Sequence, residues 1–457
     1  MDRRSLLISG LAALSLSKAK TVFGSQISPN QSKKLIRGFV APYRAIPKRH
    51  FLPKNMAELQ TALATSLESK QDFRVQSSGH CLAGFSQSRT DLIDLRKLNS
   101  VKFSADKSTL TVGPAATIQQ INNTLGRQKR LLPLGTCPSV AMGGLVTGGG
   151  IGAFTRQLGL TCDYLIKAEL LDARGRLLKV SSKENADLFW AIRGGGGSSF
   201  GILTSFTFRT IKTPPARFAR YFVRGTIPEM RAWMVNIQDL TKRYPKTADF
   251  LIRLNSAKGG QIKAELDITT LLDAESFKSL NQAILGLGLQ IKSPVTLQNN
   301  FSKITATLFP KSVKNTSLLF SGAFIARAPS QAMWTKAFEN MLHNPNEQRS
   351  MIMHFLGGAV AEYGARSTAF VHREAYGILQ YGTATKHRSN YHDGFKTLNS
   401  LRSPFRQIES GAYVNYPSQD QKNYMQSYWG ANLSRLKQIK RKYDPQNMFQ
   451  HPHSIKS

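Results

Sequence analysis

The chain has 457 residues, 41% of them hydrophobic and 19% charged, with 35 glycines and 19 prolines. That ordinary globular composition excludes collagen, a coiled coil and a wholly disordered chain, and the length can bury a core without disulfide staples. The charge is unusual: 62 Lys and Arg against 27 Asp and Glu leave a net +35, which points to an anionic neighbour such as nucleic acid, an acidic polymer or a negative surface.

At the start, Arg3 and Arg4 precede an apolar stretch, Leu6–Leu16, too short to span a bilayer. Residues 1–24 therefore read as an export signal of twin-arginine type, which implies a periplasmic or secreted protein. No later stretch reaches eighteen apolar residues, so no transmembrane span is expected.

Residues 35–212 alternate short apolar strands with glycine-rich turns. Strands are predicted at Phe73–Gln76, Leu92–Leu95, Thr109–Val112, Tyr164–Leu171 and Ile202–Phe208, with helices at Met56–Glu68 and Ile118–Gln128. Pro214-Pro215 marks a boundary. Beyond it, strand patterns at Phe218–Arg224, Asp249–Leu254, Gln261–Thr269, Ser317–Ala326, Met351–Ala359 and Tyr376–Tyr381 mix with helical patterns at Met230–Tyr244, Ala274–Leu285, Gln331–Leu342 and Asp393–Arg402. The alternation in Gln261–Ile268 suits a sheet with one wet face, so the fold class is α+β, with an antiparallel sheet covered by helices. Residues 420–457 return to a helix, then a loop and a polar tail.

The excess charge is +9 over residues 1–50, +7 over 51–200 and +19 over 201–457. The densest basic cluster, Lys437, Lys440, Arg441 and Lys442, reads as a solvated helix face, and no nucleic-acid module is present. Cys81, Cys137 and Cys162 are odd in number and form no C-x-x-C pair, so neither a disulfide framework nor a zinc site follows.

Three segments of small residues stand out: Ser77-Ser78-Gly79-His80 at a strand end, Gly143–Gly152, and Arg193–Gly201. Small residues let backbone N–H groups approach a phosphate. No P-loop is present, and neither dense glycine cluster fits a Rossmann turn.

Taken together these segments resemble a family. Ser78-Gly79-His80, Asp94-Leu95-Arg96-Lys97-Leu98-Asn99, Gly135-Thr136-Cys137-Pro138-Ser139-Val140 and Asp187–Gly197 are similar to motifs of the berberine-bridge-enzyme-like FAD-linked oxidases, which have the vanillyl-alcohol-oxidase, or PCMH-type, fold. Tyr413-Val414-Asn415-Tyr416, Tyr428-Trp429-Gly430 and Lys442–Phe449 match the family's C-terminal part. Two positions depart from it: Ser78 replaces a frequent glycine, and Leu145 stands where plant members often carry histidine.

The resemblance implies a two-subdomain PCMH-type FAD-binding domain over 35–212, a substrate-binding domain over 213–416, and a segment 417–457 that returns to the first. It implies FAD bonded covalently to His80 and Cys137, with Arg74, Ser77, Ser78, Gly79, Gly143, Gly144, Gly148, Gly149, Ile202 and Asn447 as further cofactor contacts. Imidazole nitrogen and thiolate are both nucleophiles able to attack an electron-poor flavin. Tyr416 is implied as the catalytic base and Val146 as the residue controlling dioxygen access. Cys81 and Cys162 match no linking position and read as structural. His372-Arg373 reads as part of a polar strand face in the substrate domain. The expected activity is oxidation of an alcohol, carbohydrate or secondary metabolite, with hydride transfer to FAD and peroxide formed from dioxygen. The alternatives are a flavin dehydrogenase using another acceptor, and a basic polyanion-binding protein with a structural flavin. The +19 of the second half leaves an acidic substrate or an anionic surface as a further expected partner.

Overall fold

A computed structural model describes residues 25–289, 291–298, 301–308, 318–344, 347–384 and 391–457. The export signal expected over 1–24 lies outside them, as does Ser317.

Besides a two-stranded ribbon of Arg130–Leu131 and Ile211–Lys212, two sheets form from the first half of the chain. In the smaller, strands Arg49–Phe51, Asp91–Asp94 and Phe73–Gln76 run parallel and Gln26–Ile27 pairs antiparallel at the edge. The helix Met56–Glu68 starts at Asn55, whose side chain accepts from the Glu58 N–H, and it buries Leu59 and Leu63 in the core that also holds Phe51 and Ile93. In the larger, Val101–Phe103, Thr109–Val112, Ile202–Arg209, Leu165–Leu171 and Leu177–Ser181 form an antiparallel sheet.

The second half forms one antiparallel sheet of eight strands, in the order 292–298, 217–225, 261–270, 248–257, 349–355, 377–384, 318–325 and 409–411. Its apolar face packs against helices Ile227–Arg243, Ala274–Leu285, Gln331–Leu342 and Tyr391–Arg402, with Trp233 and Trp334 fully buried between. The opposite, polar face turns toward the first half of the chain. The architecture is α+β.

Buried polar side chains join the halves. Arg156 donates to the carbonyls of Ala248 (3.0 Å), Leu356 (2.6 Å), Thr241 (2.9 Å) and Tyr244 (3.1 Å), and its own N–H reaches Asp249. Arg373 pairs with Asp163 at 2.7 and 2.8 Å, both side chains fully buried. The C-terminal segment adds Tyr428, Trp429, Leu436, Ile439 and Ile455 to the core that holds Phe206 and Trp190.

Several expectations need correction. Gly143 and Gly144 lie inside a short helix, Met142–Thr147, rather than a turn. The strand expected over Met351–Ala359 stops at Phe355, because Gly357 and Gly358 take positive φ. His372 and Arg373 lie in a loop, not on a strand face. Lys440 is no solvated residue: its ammonium is buried and donates to Asp444 (2.6 Å) and to the carbonyls of Ser199 and Phe449 (2.7 Å each). Its cluster is amphipathic, and one basic position points inward.

Candidate active site

Between the polar face of the large sheet and the glycine-rich first half lies a cavity of about 640 Å³. That size suits a small molecule or cofactor. Arg74, Ser77, Ser78, Gly79, His80, Cys137, Gly143, Gly144, Ile202 and Tyr416 all line it.

One end is built from small residues. The Ser78 hydroxyl accepts from the Ala141 N–H (3.0 Å), which ties the loop after strand Phe73–Gln76 to the start of helix Met142–Thr147. Gly79 holds φ +79, which favours glycine. A Cβ added at Gly143 would come within 2.6 Å of Ser77 Oγ, whereas one at Gly144 would meet nothing within 4 Å. Gly144 thus opens its backbone to the cavity. Arg74 lies 3.6 Å from Asp72.

His80 and Cys137 meet at a shared hydroxyl. His80 Nε2 lies 2.9 Å from Ser139 Oγ, and Cys137 Sγ lies 3.6 Å from the same oxygen. The Phe39 ring packs on the imidazole at 4.8 Å. Burial lowers the His80 pKa to about 4, so the ring is neutral near pH 7. Burial raises the Cys137 thiol, while the Ser139 hydroxyl and the backbone N–H groups of Ser139 and Val140 oppose that rise.

Tyr416 sits over a notch in the sheet: a Cβ added at Gly322 would lie 3.4 Å from its ring. Gly322 faces Gln380 in register, Gln380 faces Ile352, Ile352 faces Arg253, and Arg253 faces Glu265. At about 4.8 Å per strand, this row runs some 20 Å from the tyrosine. Gln380 is 9% exposed, lines the cavity, and its amide has no hydrogen-bond partner among the described residues. Arg253 donates to Glu265 (2.6 Å) and Asp267 (2.7 Å), and Arg220 also pairs with Asp267. Among the described residues, the Lys and Arg side chains that line the cavity are Arg74 and Arg253, and each faces a carboxylate. His354 also lines it, 3.4 Å from Asp249. Burial, then the neighbouring Tyr413 and Cys137, raise the Tyr416 hydroxyl above the ordinary tyrosine range, and Arg253 opposes this.

Known proteins resemble this chain in sequence and in fold. The family model for an FAD binding domain matches residues 47–181, and the model described as berberine and berberine like matches 412–456. A chitooligosaccharide oxidase of Gibberella zeae is 28% identical, over 89% of this chain and 86% of its own. Berberine bridge enzyme-like 23 of Arabidopsis thaliana is 28% identical, over 88% and 82%. Among solved structures, chitooligosaccharide oxidase superposes with a TM-score of 0.84 at 25% identity, covering 94% of this chain and 97% of that one. Glucooligosaccharide oxidase from Acremonium strictum, described with 6-S-cysteinyl, 8α-N1-histidyl FAD, gives 0.83 at 23% identity, covering 94% and 96%.

The chain is a berberine-bridge-enzyme-like FAD-linked oxidoreductase.

The residues present fit such an enzyme's cofactor. Gly144 leaves open the space a Cβ would fill, and two nucleophile types stand on one stretch of wall. Not every residue expected at the cofactor reaches the cavity. Gly148 and Gly149 are packing glycines: a Cβ at Gly148 would strike Asn415 at 2.3 Å, and one at Gly149 would strike Phe370 at 2.8 Å. Asn447 does not line the cavity. It holds φ +51 in a turn closed by its N–H to the Asp444 carbonyl. Phe449, Gln450, His451 and His453 line the cavity instead. Val146 is fully buried in the core and is not on the wall. His372 Nε2–H donates to the Tyr428 carbonyl (3.1 Å), with its ring packed on Phe324, and Arg373 serves Asp163; neither lines the cavity.

Gln380, Arg253, Glu265 and His354 are lining residues that the sequence reading missed. Their signal was present as polar positions alternating with apolar ones along strands. Alternation names a polar face but not what covers it. Among the described residues no helix is long and apolar enough to cross a membrane, and no cluster of three potential metal ligands occurs.

Proposed function

We propose that this enzyme is an oxidase whose FAD is bonded to both His80 and Cys137, and that it oxidises a hydroxyl of a neutral, extended substrate such as an oligosaccharide. The observation that carries the reading is the meeting of His80 and Cys137 at one serine, in a cavity whose wall also holds Tyr416. The names of the chitooligosaccharide and glucooligosaccharide oxidases support the substrate class. So does the charge-balanced polar row from Gln380 to Glu265.

FAD, when bound, supplies the hydride acceptor and passes the electrons to dioxygen as hydrogen peroxide. The protein's share is positioning and proton transfer. Tyr416, whose hydroxyl makes no hydrogen bond to the described residues, takes the proton of the substrate hydroxyl. Arg253 favours the ionised phenol. The Gln380 amide, which lines the cavity, donates to or accepts from a neighbouring hydroxyl. The neutral substrate replaces the acidic one suggested by net charge, because the lining cations are already paired. Export through a twin-arginine signal remains part of the proposal and is supported by Arg3 and Arg4 alone.

Acid precipitation of the purified protein tests the cofactor. Yellow colour is expected in the pellet, and a colourless pellet from flavin-loaded protein would sink the covalent reading. Peroxide release during turnover of an oligosaccharide panel tests the oxidase. Rapid flavin bleaching without peroxide would make the protein a dehydrogenase, and salt-sensitive retention on polyanions without any bleaching would favour the structural-flavin alternative.

A further inference from the structure

The two nucleophiles share one polar neighbour, and that neighbour is not itself a linking residue. Ser139 follows Cys137 by two positions in Cys137-Pro138-Ser139-Val140, and the turn closes through the Val140 N–H to the Cys137 carbonyl (3.2 Å). Its hydroxyl lies 2.9 Å from His80 Nε2 and 3.6 Å from Cys137 Sγ. A serine hydroxyl has one proton to donate and lone pairs to accept with. Both contacts are satisfied together when Nε2–H donates to Oγ and O–H points at the sulfur.

That arrangement has a chemical consequence. With the proton on Nε2, the His80 lone pair lies on Nδ1, which has no partner among the described residues. Phe39 packs on the ring and holds its plane. On the other side, a hydroxyl aimed at sulfur stabilises thiolate over thiol, as do the N–H groups of Ser139 and Val140. Ser139 is exposed, so a proton handed to it can pass to water.

We infer that Ser139 is a positioning residue for flavin attachment, setting the His80 tautomer and favouring the Cys137 thiolate, so that one hydroxyl prepares both covalent bonds. The inference rests on the bicovalent reading above. Attachment balances for each link. Nδ1 bonds to the ring methyl carbon, or Sγ to the adjacent ring carbon, as one C–H bond breaks. The protein side gives up the Nε2 proton or the thiol proton. The two electrons left on the ring go to dioxygen, which takes two protons and leaves as hydrogen peroxide.

The test uses full-length wild type, Ser139→Ala and Ser139→Thr, purified with FAD present. Mass spectrometry of the peptides carrying His80 and Cys137 gives the occupancy of each link, and total flavin and thermal melting are recorded alongside. Expected are near-complete double occupancy in wild type, a loss of at least half at both links in Ser139→Ala with FAD still bound, and recovery in Ser139→Thr. Full occupancy at either link in Ser139→Ala overturns the shared role. So does a Ser139→Ala protein that melts early and holds no FAD at all, since the serine would then be structural. A wild type with no covalent flavin overturns the bicovalent reading itself, which separates that failure from a failure of the serine.

Discussion

Asn415 and Gly148 are fitted to each other: the Asn415 amide donates to the Leu145 carbonyl (3.0 Å) and the Tyr413 hydroxyl (3.1 Å), and a Cβ on Gly148 would lie 2.3 Å from its oxygen. Gly148 has φ −94, which any residue can adopt. Replacing it is therefore a purely steric insult, and its target is the residue next to Tyr416. Gly148→Ala should cost about 1–3 kcal/mol of stability through overpacking. It should lower kcat at least tenfold while flavin content stays near wild type. Steady-state kinetics with flavin absorbance measures both, and unchanged kcat would show that Asn415 does not hold Tyr416 in place.

Tyr416→Phe keeps the ring against Gly322 and removes only the hydroxyl proposed to accept the substrate proton. A loss of about 10²–10⁴-fold in kcat is expected, with flavin still covalent. The pH profile is the sharper readout. The Tyr416 hydroxyl is held above the ordinary tyrosine range, so the rate should climb with pH across the accessible range. Arg253 lowers that pKa. Arg253→Gln should therefore shift the rising limb to higher pH, and a shift to lower pH would exclude Tyr416 as the titrating base.

Much of the fold was legible because its elements carry strong local signals. Met56–Glu68, Ala274–Leu285 and Gln331–Leu342 have the bounds their apolar spacing predicts. The glycine clusters were legible only as clusters. Gly144 faces open space while Gly148 sits under an asparagine, and that difference depends on Asn415, which lies far along the chain. Gln380 was illegible for a related reason. It alternates with buried residues, as a solvent-facing residue would, yet the first half of the chain covers it. Lys440 shows the reverse error, a basic residue in a basic run whose ammonium is enclosed by Asp444 and two carbonyls.

His372 makes stability pH-dependent in a defined direction. Burial lowers its pKa from 6.5 to about 4, against the Tyr428, Ser427 and Ala412 backbone contacts that raise it. The folded-state value lies below the unfolded one, so the unfolded chain takes the proton first as pH falls. Its contribution is thus complete above about pH 6.5, and it is lost progressively down to about pH 4. His451 and His453 are lowered to about 3 and about 4, chiefly by burial, and act in the same sense. For His372 the difference is up to about 3 kcal/mol. Thermal melting between pH 8 and pH 4 should show a steep fall below 6.5. His372→Asn should lower Tm at pH 8 but flatten the slope, and an unchanged slope would mean the ring does not titrate with folding.

Substrate charge gives the last prediction. Glu265 and Asp267 together balance Arg253 and Arg220, so the row leading from Tyr416 offers a carboxylate no free cation. A neutral oligosaccharide should be preferred over its uronic-acid counterpart by at least tenfold in kcat/KM. Glu265→Gln removes one negative charge while keeping a hydrogen-bond acceptor near Arg253. The row then carries one net positive charge, worth on the order of 1 kcal/mol to an anion at this partly exposed site. The preference should narrow about fivefold, through faster reaction of the acid rather than slower reaction of the neutral sugar. The narrowing should fade with added salt, as screening requires. If wild type already prefers the acid, the pairing of Arg253 is broken by substrate, and the charge of the second half acts at the cavity after all.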